Sequence, residues 1–233
     1  MRELNFLTFF GWMLLSLLAN NTLHAQQVTF DNNEMSANES SSNPTITNFT
    51  VPTGSNRLLV VVFSAANSFS DPEMPTGTFG TDNLQTAVTS VDGAGRRTTT
   101  LFLPLGTGGA VTNDILLTSS TSGIEFFRRL TAFTLQGVDQ TNPLGGTASG
   151  TLSGTTTNLA ISGTPSSSLI IESLILRPTG SGGLTSVTPQ SGQTIIGTSP
   201  PPDVGFDNFP VVSQLSSTGG DLSLDWAFNP TLT

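Results

Sequence analysis

The chain contains no cysteine, no lysine and no tyrosine, and its one histidine is His24. This histidine lies near the N-terminus, in a segment that we expect to be removed, so the ionisable side chains that remain are carboxylates and arginines. This composition excludes a cysteine or serine nucleophile with a histidine base, a lysine Schiff base, and a metal cage of histidine and cysteine. Carboxylate chemistry, oxygen-ligated cations or no chemistry at all remain.

The chain also lacks an apolar run long enough for a membrane-spanning helix. The run from Phe6 to Ala19 has about 14 residues, against the roughly 20 that a bilayer requires. Arg2 precedes it, and a short polar stretch that ends at Ala25 follows it. These features predict a signal peptide over residues 1–25, a secreted or cell-surface protein, and no permanent membrane anchor. Without cysteine, the exported chain depends on its core alone for stability.

Charge is scarce and acidic. Charged residues make up 10% of the sequence, and the formal net charge is −9. A nucleic-acid ligand requires a basic face, whereas this chain would repel phosphates over much of its surface. We therefore expect no nucleic-acid partner.

What the sequence does contain is a series of short apolar stretches rich in Val, Ile, Thr and Phe, separated by Gly, Pro, Asn and Ser. No window after the N-terminal segment keeps apolar residues at helical spacing without a glycine or proline. This pattern predicts an all-β fold, a two-sheet antiparallel β-sandwich of the jelly-roll kind. We expect an N-terminal strand and polar loop over residues 26–44 and one sandwich domain over residues 45–233.

Three stretches indicate where the core lies. Leu58 to Phe63 and Ser168 to Arg177 are apolar on both faces, which predicts two strands at the centre of a sheet. Gly150 to Ile161 alternates small polar residues with leucine and isoleucine, which predicts an outer strand with one wet face. Trp226 alternates with apolar neighbours on one strand face, and we expect it in the core.

Several motifs resemble a β-sandwich module of bacterial secreted and cell-surface proteins. Arg57 begins the stretch RLLVVV, Thr100 begins TLFLPLG, and Gly137 begins the most specific motif, GVDQTNP. Trp226 corresponds to a tryptophan on a late strand of that module. The resemblance implies an extracellular sandwich used in surface display or attachment, with no assigned catalytic residue.

The module continues past its tryptophan strand into one more apolar strand, whereas this sequence stops at Thr233. Either the sandwich closes differently here or the chain is a fragment. In the second case the strand from Asp221 to Phe228 has an open edge. Such an edge predicts an alternative, purely structural role, in which the chain pairs with a neighbour.

Three acids are candidate ligands for Ca²⁺, the one cofactor that the sequence suggests. Asp203 and Asp207 share a loop, and Asp139 belongs to the GVDQTNP motif. Carboxylate oxygens are the ligands that Ca²⁺ prefers. The alternatives are that the loop acids are solvated and that Asp139 caps the backbone of the turn before Pro143.

The enzymatic alternative is a carbohydrate-active hydrolase with two carboxylates. Glu125 and Glu172 are the candidates, because each lies beside or within an apolar strand where burial raises a carboxyl pKa. Nearby arginines offer the opposite reading, in which Arg128 or Arg129 pairs with Glu125 and Arg177 pairs with Glu172. We expect no enzymatic activity.

The remaining candidate site is a loop that contacts a ligand. It contains Phe206, Asp207, Asn208 and Phe209, two rings beside a carboxylate and an amide that suit a sugar polymer. The alternative is that both rings plug the end of the sandwich. The sequence thus predicts a non-catalytic surface or adhesion module that binds an extracellular polysaccharide or another surface protein.

Overall fold

The structure is a computed structural model, and it describes residues 28–35, 43–67, 72–93, 95–119, 125–151, 154–176, 186–198 and 209–232. Within these ranges no helix is long and apolar enough to cross a membrane. The described residues form fifteen strands: β1 (Thr29–Met35), β2 (Thr45–Val51), β3 (Gly54–Asn67), β4 (Thr76–Phe79), β5 (Asp82–Asn83), β6 (Gln85–Val91), β7 (Arg96–Gly108), β8 (Val111–Thr118), β9 (Glu125–Gln136), β10 (Gly154–Thr164), β11 (Leu169–Leu176), β12 (Ser186–Pro189), β13 (Thr194–Thr198), β14 (Phe209–Ser216) and β15 (Gly220–Leu232).

The strands form four antiparallel sheets. Sheet I has the order β1-β9-β3-β7-β6, and sheet II has the order β2-β8-β4-β5. Sheet III has the order β11-β14-β13, and sheet IV has the order β10-β15-β12. The all-β antiparallel prediction is confirmed, but these strands occupy four sheets rather than the two expected.

Three apolar interfaces place the sheets in the order II, I, III, IV. Phe49 and Ile115 of sheet II pack with Val61 and Leu101 of sheet I. The opposite face of sheet I packs against sheet III through a second cluster: Leu58, Val60, Val62, Phe102, Phe133, Leu135, Val138 and Val212, with Leu169, Ile171 and Ile196 beside it. Leu176 and Val211 of sheet III then meet Trp226 and Phe228 of sheet IV in the third. Sheets I and III are therefore covered on both faces.

The same winding occurs twice along the chain. In residues 29–136 the last strand, β9, lies between the first strand, β1, and the third, β3. The next-to-last strand, β8, lies between the second, β2, and the fourth, β4. In residues 154–232 the corresponding orders are β10-β15-β12 and β11-β14-β13. Two sandwiches of one winding type thus stack through sheets I and III.

The predictions for single strands have mixed outcomes. Leu58 to Phe63 lies in β3 at the centre of sheet I, and it is buried throughout, as predicted. The prediction for Ser168 to Arg177 is wrong, because β11 is the edge strand of sheet III. It is apolar on both faces because sheet III lies between two other sheets, and its residues are buried or half-buried on both faces. The prediction that Gly150 to Ile161 contains an outer strand is confirmed by β10, an edge strand of sheet IV.

The predicted open edge at Asp221 to Phe228 is wrong only in part. These residues belong to β15, the central strand of sheet IV, which pairs with β10 along one side. On the other side β12 pairs with Trp226 to Asn229, and in the described part of the chain no strand pairs with Leu222 to Leu224 there. Trp226 is 2% exposed, as expected for a core residue.

Candidate binding cleft at the free edge of β11

A cavity of about 720 Å³ lies beside β11, between sheets I and IV. One wall is the face of sheet I that carries Leu58, Val60 and Phe102. The facing wall belongs to sheet IV and includes Leu224 and Phe228. Residues 142–151, an irregular segment between β9 and β10, line the outer side. The volume lies in the range of ligand pockets. Charged side chains also line the cleft beside its apolar walls: Asp92, Arg96, Asp139 and Glu172. We call this cavity the β11 cleft.

The β11 cleft follows the backbone of β11 rather than one of its faces. All residues from 169 to 176 line it, although successive side chains point to opposite faces of a strand. Ile171 packs towards sheet I, whereas Leu174 and Leu176 pack towards sheet IV. Residues of both orientations line one cavity because the cavity adjoins the edge of β11 opposite β14, for which the described residues supply no partner strand.

Glu172, one of the two predicted carboxylates, lies within β11 and is 5% exposed. Its Oε2 accepts hydrogen bonds from Trp226 Nε1 and from Gln193 Nε2, each at 2.7 Å. Gln193 Nε2 also donates to Ser213 Oγ at 2.7 Å. Arg177, the ion-pair partner that the sequence suggested, lies outside the described residues. Glu172 therefore connects β11 to sheet IV through the indole of Trp226 and to the residue before β13 through the amide of Gln193.

Burial raises the pKa of Glu172, since an ionised carboxylate is costly in an apolar environment. The hydrogen bonds from Trp226 and Gln193 act in the opposite direction, and the negative charge of Asp225 raises the pKa a little more. Among the described residues, Glu172 Oε1 has no hydrogen-bond partner. An unpaired buried oxygen adds to the cost of the ionised form, in the same direction as burial.

The GVDQTNP motif forms the end of the cleft. Asp139 Oδ1 accepts hydrogen bonds from the backbone amides of Thr141 at 2.8 Å and Asn142 at 3.1 Å. These bonds lower the pKa of Asp139, because they stabilise its charged form. This is the turn-capping contact that the sequence offered as the alternative to a calcium ligand.

The same motif is held by backbone contacts to sheet I. Gly137 N donates to Ser55 O at 3.1 Å, and Gln140 Oε1 accepts from Gly106 N at 2.7 Å. Gly137 has φ of 78°, a left-handed conformation that favours glycine. The chain therefore leaves β9 in a fixed direction and carries residues 142–151 along the cleft.

Most of the residues predicted for the contact loop and the calcium site lie outside the part of the chain that the structure describes. Phe206, Asp207, Asn208 and Asp203 lie outside the described residues. Phe209 is the first residue of β14, where its backbone pairs with Leu176. Within the described ranges there is no group of three His, Cys, Asp or Glu side chains that could hold a metal. The calcium site and the loop contact site thus stay predictions.

The second predicted carboxylate is in a different sheet from Glu172. Glu125 is the first residue of β9 in sheet I, opposite Asn67 of β3. Its side chain lies outside the described residues, as do the contacts of that side chain. The sequence identified Glu172 as a candidate residue but gave no signal for Gln193 or for the β11 cleft. The position of Gln193 and the shape of the cleft depend on pairings between strands far apart in the chain.

Comparison with known proteins gives no family. No protein-family model matches the chain, and neither the curated proteins nor the solved structures contain a significant match.

Proposed function

We propose that this protein is an exported, non-catalytic surface module that attaches to another extracellular macromolecule through the β11 cleft. The observation that carries the proposal is the cleft itself, a mostly apolar cavity of about 720 Å³ beside the outer edge of β11, which no strand of the described ranges covers. Pockets of this size and character in soluble proteins are usually ligand sites. Export rests on the signal peptide proposed for residues 1–25, with cleavage after Ala25.

The state of Glu172 favours binding over catalysis. A glycoside hydrolase needs a carboxyl group that contacts the scissile bond and a second one about 5 to 10 Å away. Glu172 is buried and is occupied by Trp226 and Gln193, which suits a structural role. The resemblance of residues 137–143 to a bacterial surface module supports the same choice.

We further propose that sheets I and II form a jelly roll. Their orders are β1-β9-β3-β7 and β2-β8-β4-β5, and β6 adds one strand at the edge of sheet I. The chain crosses between the two sheets at every step except β4 to β5 and β6 to β7. Jelly rolls are common in proteins that bind carbohydrates or assemble on surfaces. The jelly-roll arrangement is a likeness of fold alone, and the proposed binding function rests on the β11 cleft.

The test is binding of the full chain to purified polysaccharides and purified surface proteins, with released sugar measured in parallel. Leu144→Asp places a charge at the cleft, where Leu144 is 40% exposed. Leu116→Asp is the matched control, because Leu116 is 46% exposed on β8 of sheet II, outside the cleft lining. We expect binding without sugar release, weakened by the first substitution and not by the second.

Two results would overturn the proposal. Equal effects of both substitutions would remove the cleft from the binding site. Sugar release that disappears in Glu172→Gln while the fold is retained would make the protein a hydrolase.

A further inference from the structure

We propose that the β11 cleft accepts an extended apolar segment of another polypeptide, about eight residues long, which pairs with β11 as a fourth strand of sheet III. The proposal deepens the proposed function and rests on it, since it names the class of partner that the cleft recognises.

The backbone of β11 offers hydrogen-bonding groups to an added strand. Ser217 directly follows β14, and its N donates to Ser168 O at 2.8 Å, so the carbonyl of residue 168 points towards the β14 side of the strand. Antiparallel strands alternate, and the backbone groups of Leu169, Ile171, Ser173 and Ile175 therefore point to the opposite edge. In the described part of the chain, no backbone hydrogen bond outside the strand ladders engages these four residues, and β11 pairs with β14 alone.

Continuity with the two existing interfaces supplies the second argument. Phe102 and Leu135 belong to the apolar cluster between sheets I and III, and they also line the cleft. Leu176 and Phe228 belong to the cluster between sheets III and IV, and they line it as well. The cleft thus continues the layer of sheet III past its last strand, with the flanking sheets still in place on both sides.

The outward backbone groups of β11 and the apolar walls on both sides of the cleft together favour an extended polypeptide as the ligand. A purely apolar small molecule would fill the cavity but leave the outward amides and carbonyls of β11 without partners, which is costly in an apolar site. An added strand satisfies those groups and fills the space on both sides, as in recognition by strand addition. Eight residues of strand span roughly 26 Å, which matches the length of β11 from Leu169 to Leu176.

The walls define the chemistry of the segment. Its side chains on one face meet Leu224 and Phe228, where apolar residues fit. On the other face they meet Val60 and Phe102 together with Thr100, so small hydroxyl residues fit there. The partner segment is therefore mainly apolar and β-branched, with small hydroxyl residues on one face.

Residues 142–151 must move aside for such a segment to enter. Most of their side chains are exposed, and they form no strand pair. Gly150 O accepts a hydrogen bond from Ser90 Oγ at 3.3 Å, a contact to the edge strand of sheet I. Segments with few buried contacts open at low cost, so this segment is a cover rather than a fixed wall.

The test uses the full chain with Trp12→Phe, which leaves Trp226 as the one tryptophan. The probe is a soluble peptide with the core Val-Thr-Val-Ile-Val-Thr-Val, flanked by lysines. Its control carries N-methyl groups at alternate core amides, which removes donors to β11 but keeps the side chains. We expect saturable binding that changes Trp226 emission, slower hydrogen exchange at residues 169, 171, 173 and 175, and about tenfold weaker binding of the control.

A pair of variants tests the same strand from the protein side. Ser173→Pro removes one outward amide, which an edge strand tolerates, and we expect at least about tenfold weaker peptide binding. Ser173→Ala is the matched control, since both variants lose the hydrogen bond from Thr98 Oγ1 but Ala keeps the amide. The alanine variant should bind as the parent does. If Ser173→Pro fails to fold, the N-methylated peptide decides the question.

Three outcomes would overturn the inference: no saturable peptide binding, equal affinity of the N-methylated control, or equal effects of the two Ser173 variants. If the chain binds surface polymers and Leu144→Asp weakens that binding, yet the peptide does not bind, only the strand-addition inference fails. If neither kind of binding occurs, the proposed function fails with it.

Discussion

Glu172 is a buried carboxyl group that connects β11 with sheet IV. Its Oε2 accepts hydrogen bonds from Trp226 and Gln193, and its pKa is raised above the ordinary value of 4.5, chiefly by burial. A raised pKa means that the folded state holds the proton to higher pH than the unfolded chain does. The contribution of Glu172 to stability is therefore complete below about pH 4.5 and declines as the pH rises towards its pKa in the folded protein.

This sign gives a prediction for Glu172→Gln, which cannot ionise. We expect the free energy of unfolding of the wild-type protein to fall relative to that of the variant as the pH rises from 4.5 to neutrality. Urea unfolding at several pH values measures the difference, and the other carboxylates cancel because both proteins contain them. A difference that does not change with pH would mean that Glu172 has an ordinary pKa in the folded protein.

At the scale of single elements, β3 and β8 contrast most clearly. Leu58 and Leu59 are neighbours on β3, and both are buried, at 3% and 0% exposure, because sheet I has a neighbour on each face. Leu116 and Leu117 are neighbours on β8, where Leu117 is 2% exposed but Leu116 is 46% exposed. Sheet II ends the stack, so one of its faces meets solvent.

Alanine substitution should reproduce this contrast. We expect Leu58→Ala and Leu59→Ala each to cost about 2–5 kcal/mol, the usual range for a fully buried leucine. Leu117→Ala should cost a similar amount, whereas Leu116→Ala should change stability by less than about 0.5 kcal/mol. Urea denaturation of the four variants measures these costs. A large cost at Leu116 would indicate a further layer on the outer face of sheet II.

The sequence predicts strands better than it predicts their neighbours. Apolar residues on both faces identify β3 and β11 equally well, but the pattern reports burial of the faces and not pairing of the edges. This is why β11 was expected at the centre of a sheet and lies at an edge. The same limit applies to β15, where β10 covers one edge and β12 covers the other edge only at Trp226 to Asn229.

The site was predictable only in part for a related reason. Burial of Glu172 follows from the apolar stretch around it, and Asp139 capping its own turn follows from local geometry. The contacts of Glu172 with Trp226 and Gln193 depend on how three strands align, and no local pattern encodes that alignment. The loop at Phe206 and Asp207 lies outside the described residues, so its role as a contact site stays a prediction.

At the scale of the whole molecule, two sandwiches of one winding type share the interface between sheets I and III. The chain passes from one to the other through residues 137–153, so the strands of the first sandwich all precede those of the second. Its sheet I nevertheless buries an apolar face that only the second sandwich covers. The first sandwich should therefore depend on the second for solubility, although it has a core of its own between sheets I and II.

Residues 26–151 alone test this dependence, because the fragment would expose Val60, Phe102 and Leu135 as one patch. Large exposed apolar patches drive association, and we expect the fragment to self-associate and bind a hydrophobic dye, while the whole chain does neither. The double substitution Val60→Thr and Phe102→Thr should have opposite effects on the fragment and on the whole chain. It should make the fragment more monomeric, but it should lower the free energy of unfolding of the whole chain by at least about 3 kcal/mol. Light scattering and urea unfolding measure the two effects. A monomeric fragment without dye binding would mean that sheet III does not cover sheet I in solution. Opposite effects of the double substitution on the fragment and on the whole chain would establish the stacked arrangement on which the β11 cleft depends.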